Sequence, residues 1–332
     1  MRSLSRRLLL ALGAATLALP ALPQASFAAD DGEIAVVVKI TGIPWFNRFG
    51  EGVEKAGKDL GVKAAQYGPT QADPAQQVKI VEDLIAKKVA AIVVVPNDAK
   101  ALEPVFERAH QQGIVVVTHE SPGQKGADWD VETIDNKQFA ESVFQKLADS
   151  TGGEGKFALF VGSLTVPLHN EWADIGLAYI KEKYPKLELV ADRYPVGESL
   201  DDSFKTAQDI LKAHPDLKGF VGFGSQGPIG FARALEQQGV EPGKVTVVGN
   251  ILPKQATPYL KKGYITEGFL WDPSDAAFAS VAIAKKVLDK QPIENGLEIA
   301  GLGKAEVNPE TKVIKFNATS RFTADNVGQF NF

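Results

Sequence analysis

Three aromatic side chains stand directly behind short apolar runs of this sequence: Trp45 and Phe46 after Ile34 to Ile40, and Trp271 after Gly268 to Leu270. Where such runs are strands of an open α/β sheet, their far ends face the crevice in which these sheets take ligands. An aromatic ring there can lie against the C–H face of a sugar-like ring and leave the hydroxyl rim to polar neighbours. Asn136, His169, Asn170, Ser225, Gln226, Asn250 and Asp272 are the candidates for those neighbours. An amide donates and accepts at once, which matches a pair of vicinal hydroxyls. Lys39 and Glu120 also sit where apolar runs end, and a carboxylate that accepts two ligand hydroxyls forms charge-assisted bonds stronger than neutral ones. These residue types describe reversible capture of a neutral polyhydroxylated molecule. The plainer alternatives are aromatics that belong to the core and a Lys39–Glu120 ion pair that only shapes the cleft.

Other chemistries find less support in the residues. Gly222-x-Gly224-x-x-Gly227 follows a strand-like run and precedes a helix, as a dinucleotide fingerprint does. It lies late in the chain, however, and the next strand ends at Asn250 rather than at an acid. These glycines are expected instead to let amides at the helix start approach the hydroxylated ligand. Ser225 has Phe223 two positions before it where a nucleophile elbow needs glycine. Glu120 with Asp272 is a carboxylate pair that could flank a glycosidic bond, and a glycoside-processing enzyme is the enzymatic alternative. The chain has no cysteine, and no two of its histidines (His110, His119, His169, His214) share the close helical spacing of a zinc site. No metal and no cofactor are expected.

The elements that must position these residues alternate between apolar runs and amphipathic stretches, the pattern of βα units around parallel sheets. Ile34 to Ile40 reads as a strand, Gly42 to Phe46 as a loop, and a helix with Val53, Ala56 and Leu60 on one face is stopped by Gly61. The strand Val62 to Tyr67, a helix opened by Pro74, the strand Ala91 to Val95, the helix Ala101 to Gln112 and the strand Ile114 to Thr118 complete a doubly wound half. From Phe139 the alternation restarts. Helices at 139–149, 170–184, 203–213 and 229–238 are expected between strands at 156–161, 187–194, 219–222 and 245–249. Gly268 to Leu270 reads as a connector back to the first half, followed by the helix Ala276 to Lys290 and a short strand at Val313 to Phe316.

Met1 to Arg7 carries three arginines and no acid, and Leu8 to Leu22 is almost wholly apolar, as in a secretory signal peptide. Ser26 and Ala28 fit the positions a signal peptidase inspects, so residues 1–28 are expected to be removed after Ala28. Arg6-Arg7 also fits a twin-arginine signal loosely, and the export route stays open. Losing residues 1–28 with their three arginines leaves 304 of 332 residues and takes the formal charge from −5 to −8. An acidic chain argues against nucleic acid as a partner. Without a cysteine to carry a lipid anchor, the mature chain is expected to be free in the periplasm.

The order of several segments is similar to that of the type I periplasmic binding proteins of sugar ABC importers, in the branch with ribose-, rhamnose- and autoinducer-2-binding proteins. Those segments are Lys39 before Trp45-Phe46, Asp73-Pro-Ala-Gln-Gln-Val, Ala91-Ile-Val-Val-Val-Pro, Val115-Val-Val-Thr-His-Glu, Ile134-Asp-Asn, Leu164 to Trp172, Val247-Val-Gly-Asn and Gly268-Phe-Leu-Trp-Asp. The resemblance implies two Rossmann-like lobes joined by three crossings near Asp135, Leu270 and Leu302. Residues 29–135 with 272–302 would form one lobe, and 136–271 with 303–332 the other. It places Lys39 and Glu120 in the ligand's polar ring, Glu120 standing where sugar-binding relatives carry aspartate. It implies a monomer that hands a monosaccharide to a membrane permease driven by a separate ATPase. Asn250 stands where ribose-type proteins have aspartate, and Asn170-Glu171-Trp172 where they have an arginine, which favours another aldose or a deoxy-sugar. The acidic-amide pair of the autoinducer-2 branch is replaced in this chain by Leu168-His169, and its Pro-x-Ala turn by Phe223-Gly-Ser225. Lys39 is retained, so an autoinducer-2-binding protein is the alternative on the same fold.

Overall fold

The computed structural model describes residues 32–332. The expected signal peptide and its cleavage point after Ala28 lie outside the described residues. The chain opens with β1 (Ile34–Val37), α1 (Pro44–Leu60), β2 (Ala64–Tyr67), α2 (Pro74–Ala86), β3 (Ala91–Val94), α3 (Ala99–Gln111), β4 (Val115–His119) and β5 (Trp129–Glu132). A second series follows with α4 (Asn136–Thr151), β6 (Glu154–Phe160), α5 (Pro167–Lys183), β7 (Lys186–Leu189), α6 (Leu200–Ala213) and β8 (Leu217–Gly222). It continues through α7 (Gly227–Gln237), β9 (Thr246–Asn250), α8 (Pro253–Lys262), β10 (Glu267–Leu270) and α9 (Pro273–Leu288). The tail holds β11 (Glu298–Ile299), β12 (Gly303–Lys304), β13 (Glu306–Asn308), β14 (Val313–Lys315) and β15 (Ser320–Phe322).

Local chemistry sets many of these boundaries. Proline at the first turn opens α1, α2, α5, α7, α8 and α9, where its missing N–H has no partner to lose. Asp73, Asp98 and Asp272 accept from the first backbone amides of α2, α3 and α9. Gly61 ends α1 in the left-handed conformation, φ 65°.

One sheet runs β13-β14-β5-β4-β3-β1-β2 and the other β15-β10-β9-β8-β6-β7. With the strands of the tail set aside, both parallel cores have the same order: second strand, first, third, fourth, fifth. The direction of winding therefore reverses between β1 and β3 in one lobe and between β6 and β8 in the other, and the carboxyl ends beside such switch points are where ligands bind. All four residues of β1 and of β3 are buried, as expected of parallel strands covered on both faces. Ile34 and Val36 pack in the cluster that holds Phe49 and Val53 of α1 and Ala276 of α9. Ala35 and Val37 pack with Val81 and Leu84 of α2 and Leu102 and Phe106 of α3. The alternation is the two-residue period of a strand dividing its side chains between two layers.

The chain passes between the sheets at residues 133–135, 271–272 and 316–319. The third crossing corrects the expectation of one near Leu302. β14 pairs with β5 in parallel register, Ile314 against Val131, so residues 306–315 belong to the first sheet and only β15 returns to the second, antiparallel to β10. Gly268 to Leu270 is likewise no connector, because β10 pairs with β9 inside the second sheet. The expected loop Gly42 to Phe46 is shorter, since α1 begins at Pro44 and carries Trp45 and Phe46 in its first turn. β5 and α8 had no expectation. The four residues of β5 include two acids, and α8 is a short polar helix with Pro258 in its interior.

Candidate ligand site between the lobes

Lys39 lies just beyond β1, at the first lobe's switch point. Its backbone is held by a buried amide relay. Asn97 Nδ2 donates to the Lys39 carbonyl (2.8 Å), Asn97 N–H donates to Gln77 Oε1 (2.8 Å), and Gln77 Nε2 donates to the carbonyls of Val38 (3.1 Å) and Val95 (2.8 Å). Gln77 thus ties the ends of β1 and β3, and Lys39 is aimed into the cleft. Its Nζ is 2.9 Å from Glu120 Oε2, on the same lobe, and 2.9 Å from Glu198 Oε1, on the other. Burial alone would lower the ammonium's pKa; the two facing carboxylates raise it to about 12.

Both acids owe their aim to unusual backbone. Glu120, immediately after β4, has φ 62°, a left-handed conformation that costs a non-glycine residue on the order of 1 kcal/mol. Glu198 follows Gly197, whose N–H donates to the Val161 carbonyl at the end of β6 (2.8 Å). A Cβ on Gly197 would stand 2.3 Å from the Phe223 carbonyl oxygen, so only glycine lets this loop run between the ends of β6 and β8 and present its neighbour.

His169, in the first turn of α5, completes the charged centre. The Gly162 N–H donates to its Nδ1 (3.0 Å), which puts the ring proton on Nε2. Burial first, and the Lys39 charge second, hold the imidazole's pKa well below its usual range, so the ring is neutral. Nε2–H then faces the Lys39 ammonium at 3.4 Å. Two donors meet there, an arrangement that an acceptor oxygen placed between them would satisfy.

Lys39, Ile43, Trp45, Phe46, Glu120, His169, Glu198, Gly224, Ser225 and Asn250 enclose a cavity of about 20 Å³. That is room for about one water, well under the roughly 300 Å³ at the lower end of ligand pockets, so the lobes are shut on one another. Beyond the neck formed by Ile43 and Glu198, a groove of about 840 Å³ opens between the lobe rims. Glu198 Oε2 and Asn250 Oδ1 are buried and lack a hydrogen-bond partner among the described residues.

Of the residues expected at the site, Lys39, Trp45, Phe46, Glu120, His169, Ser225 and Asn250 border this cavity, and Gln226 lines the groove outside it. Four others are corrected. Trp271 is buried in the second crossing, among the rings of Trp45, His119, Phe139 and Trp172 at 6.0 to 6.4 Å. Asp272 caps α9 and takes a two-point ion pair from Arg48 (2.9 and 2.6 Å). Asn136 accepts from Trp172 Nε1 (3.0 Å) and donates to Glu132 (2.9 Å). Asn170 is taken up by the carbonyls of Ser163 and Val166 and by Arg193. The Glu120–Asp272 pair imagined for glycoside chemistry is therefore not assembled at the cavity. The amides of Gln226 and Gly227, expected to face a ligand, both donate to the Gly197 carbonyl (3.1 and 3.0 Å). Glu198 was not anticipated; the only signal was an acid beside glycine in a loop after a strand-like run.

Two doubly wound lobes, three crossings and a buried polar cleft shared by their switch points define a two-lobed solute-binding protein. The chain belongs to the periplasmic binding protein domain family, which matches residues 34–292. It is 26% identical over 262 residues to the D-allose-binding periplasmic protein of Escherichia coli (strain K12), covering 76% of this chain and 83% of that one. It also superposes on an ABC transporter solute binding protein from Clostridium phytofermentas with bound L-rhamnose, at TM-score 0.83 and 23% identity, covering 90% of this chain and 97% of that one. LsrB from Clostridium saccharobutylicum in complex with AI-2 gives TM-score 0.82 and 24% identity, covering 90% of this chain and all of that one (100%).

Proposed function

We propose that the mature chain is the solute-binding component of an ABC importer, capturing an aldose or deoxy-sugar in the periplasm and presenting it to a membrane permease with its own ATPase. The reading includes export, cleavage after Ala28 and a free monomeric carrier. Its main support is the Lys39 ammonium held by Glu120 of one lobe and Glu198 of the other, because a ligand that joins this centre touches both lobes and stabilises the shut form through its differential affinity. The hydrogen-bonding walls suit hydroxyls, and Trp45 with Phe46 offers apolar surface to a ring. Capture without turnover is favoured by the same centre. A lysine that stays charged between two carboxylates organises hydroxyls and supplies no acid poised to protonate a leaving oxygen.

The test is thermal unfolding with D-allose, L-rhamnose, D-arabinose, D-ribose, D-galactose and autoinducer-2, followed by calorimetry. At one hundred times its Kd a specific ligand should stabilise the protein by about 2.7 kcal/mol. Silence across all the sugars would remove the sugar reading; a response to autoinducer-2 alone would replace the ligand. Product release from nitrophenyl glycosides would replace the carrier with an enzyme.

A further inference from the structure

We propose that Glu198 makes the cleft selective by charge, so that sugars bearing an anionic group are excluded while an amino sugar is accepted to within about tenfold of its neutral parent or better. The inference rests on the sugar-carrier reading and narrows its ligand class. Two carboxylates, Glu120 and Glu198, face one ammonium, Lys39, and His169 adds no charge because its Nδ1 lone pair is taken by the Gly162 N–H. The centre therefore carries an excess of one negative charge. Glu198 is 6% exposed and Asn250 4% exposed, and the oxygen each leaves without a partner, Glu198 Oε2 and Asn250 Oδ1, can only accept. Both residues border the cavity, so this wall asks its ligand for donors. The approach has the same sign. The outer groove is lined by Glu198, Asp201 and Asp202, with no lysine or arginine among the described residues that line it. A cleft with low-dielectric walls focuses such a field, and placing a like charge against a buried carboxylate costs enough to dominate selection.

The experiment is calorimetric binding of three matched sets: D-galactose, D-galactosamine and D-galacturonate; D-glucose, D-glucosamine and D-glucuronate; D-ribose and D-ribose 5-phosphate. In whichever set the neutral sugar binds, the acid should be weaker by about 100-fold or more and the amino sugar no weaker than its parent within about tenfold. In Glu198→Gln, which keeps the shape and cancels the excess charge, the penalty on the acid should shrink by about tenfold or more. An acid that binds within tenfold of its parent overturns the inference and leaves the sugar carrier standing. So does an amino sugar weaker than its parent by more than tenfold. An unchanged penalty in Glu198→Gln removes Glu198 as its cause. If none of these sugars binds, the matched acid and amine are taken from whichever sugar of the thermal-unfolding panel stabilises the protein, and only silence across that panel as well makes the carrier reading fall and takes this inference with it. Should Glu198→Gln not fold, Asp201→Asn with Asp202→Asn at the rim is the second probe. It should slow association of an amino sugar at low salt relative to its neutral parent, and equal rates count against the field.

Discussion

At the scale of single residues, the site is a small set of charges and dipoles held by backbone features. His169 is kept neutral by burial and by the Gly162 amide, while an unfolded chain would let it take up a proton near pH 6.5. Its folded pKa is depressed, so below about pH 6.5 the unfolded state binds more protons and stability falls as pH falls. Urea unfolding at pH 7.5 and 5.5 should show wild type losing more stability than His169→Gln, by up to about 1.4 kcal/mol per pH unit below 6.5. Equal losses in the two proteins would show that His169 is protonated in the fold. Glu132 works in the opposite direction. Burial, then the charge of Asp130, raises its pKa well above the usual range, so the stability it contributes is full at acid pH and declines as pH rises past the ordinary carboxylate value.

At the scale of elements, the second crossing is anchored in the first lobe, where α1 packs against α9. Gly52 of α1 lies so near the first turn of α9 that a Cβ would stand 2.1 Å from the Ser274 carbonyl oxygen. Arg48, one turn earlier, grips Asp272, the cap of that same helix. Gly52→Ala should therefore destabilise the protein by about 2 kcal/mol or more, because the facing atoms are backbone and cannot swing aside. Urea unfolding of the variant measures it, and a loss under 0.5 kcal/mol would mean that the helices separate freely. The aromatic cluster around Trp271 belongs to the same joint. Its rings come from α1, β4, α4, α5 and the second crossing, so they tie the two lobes at the hinge, and the α1 ring, Trp45, also borders the cavity.

At the scale of the whole molecule, closure is a balance between ordering two lobes and joining Lys39 to Glu198, with the Thr165 hydroxyl donating to the Asn97 carbonyl across the same gap (2.9 Å). Removing one partner of a buried charged group costs about 3 to 5 kcal/mol, since the charges left behind lie unpaired. Lys39→Met leaves Glu120 and Glu198 facing each other, and it should shift the population toward parted lobes. Small-angle scattering should give a larger radius of gyration for Lys39→Met than for wild type, with weaker binding of any sugar that compacts the wild type. Superimposable scattering from the two proteins would mean that this ammonium does not govern closure.

The sequence by itself determined the two-lobed α/β architecture, because fully buried parallel strands require continuous apolar runs such as Ile34 to Val38 and Ala91 to Val95, and proline, glycine and aspartate mark the ends of the helices between them. It also placed Lys39, Trp45, Phe46 and Glu120 at strand ends, the part of such sheets that forms the crevice. Tertiary structure alone decided the rest. Which polar side chain turns to the cavity depends on what competes for it locally. Asn136, Asn170 and Asp272 are claimed by neighbours and helix ends, while Glu198 enters only because Gly197 slips between two distant strands. The third crossing was equally hidden, since three residues of β14 carry too little pattern to reveal which sheet will pair with them.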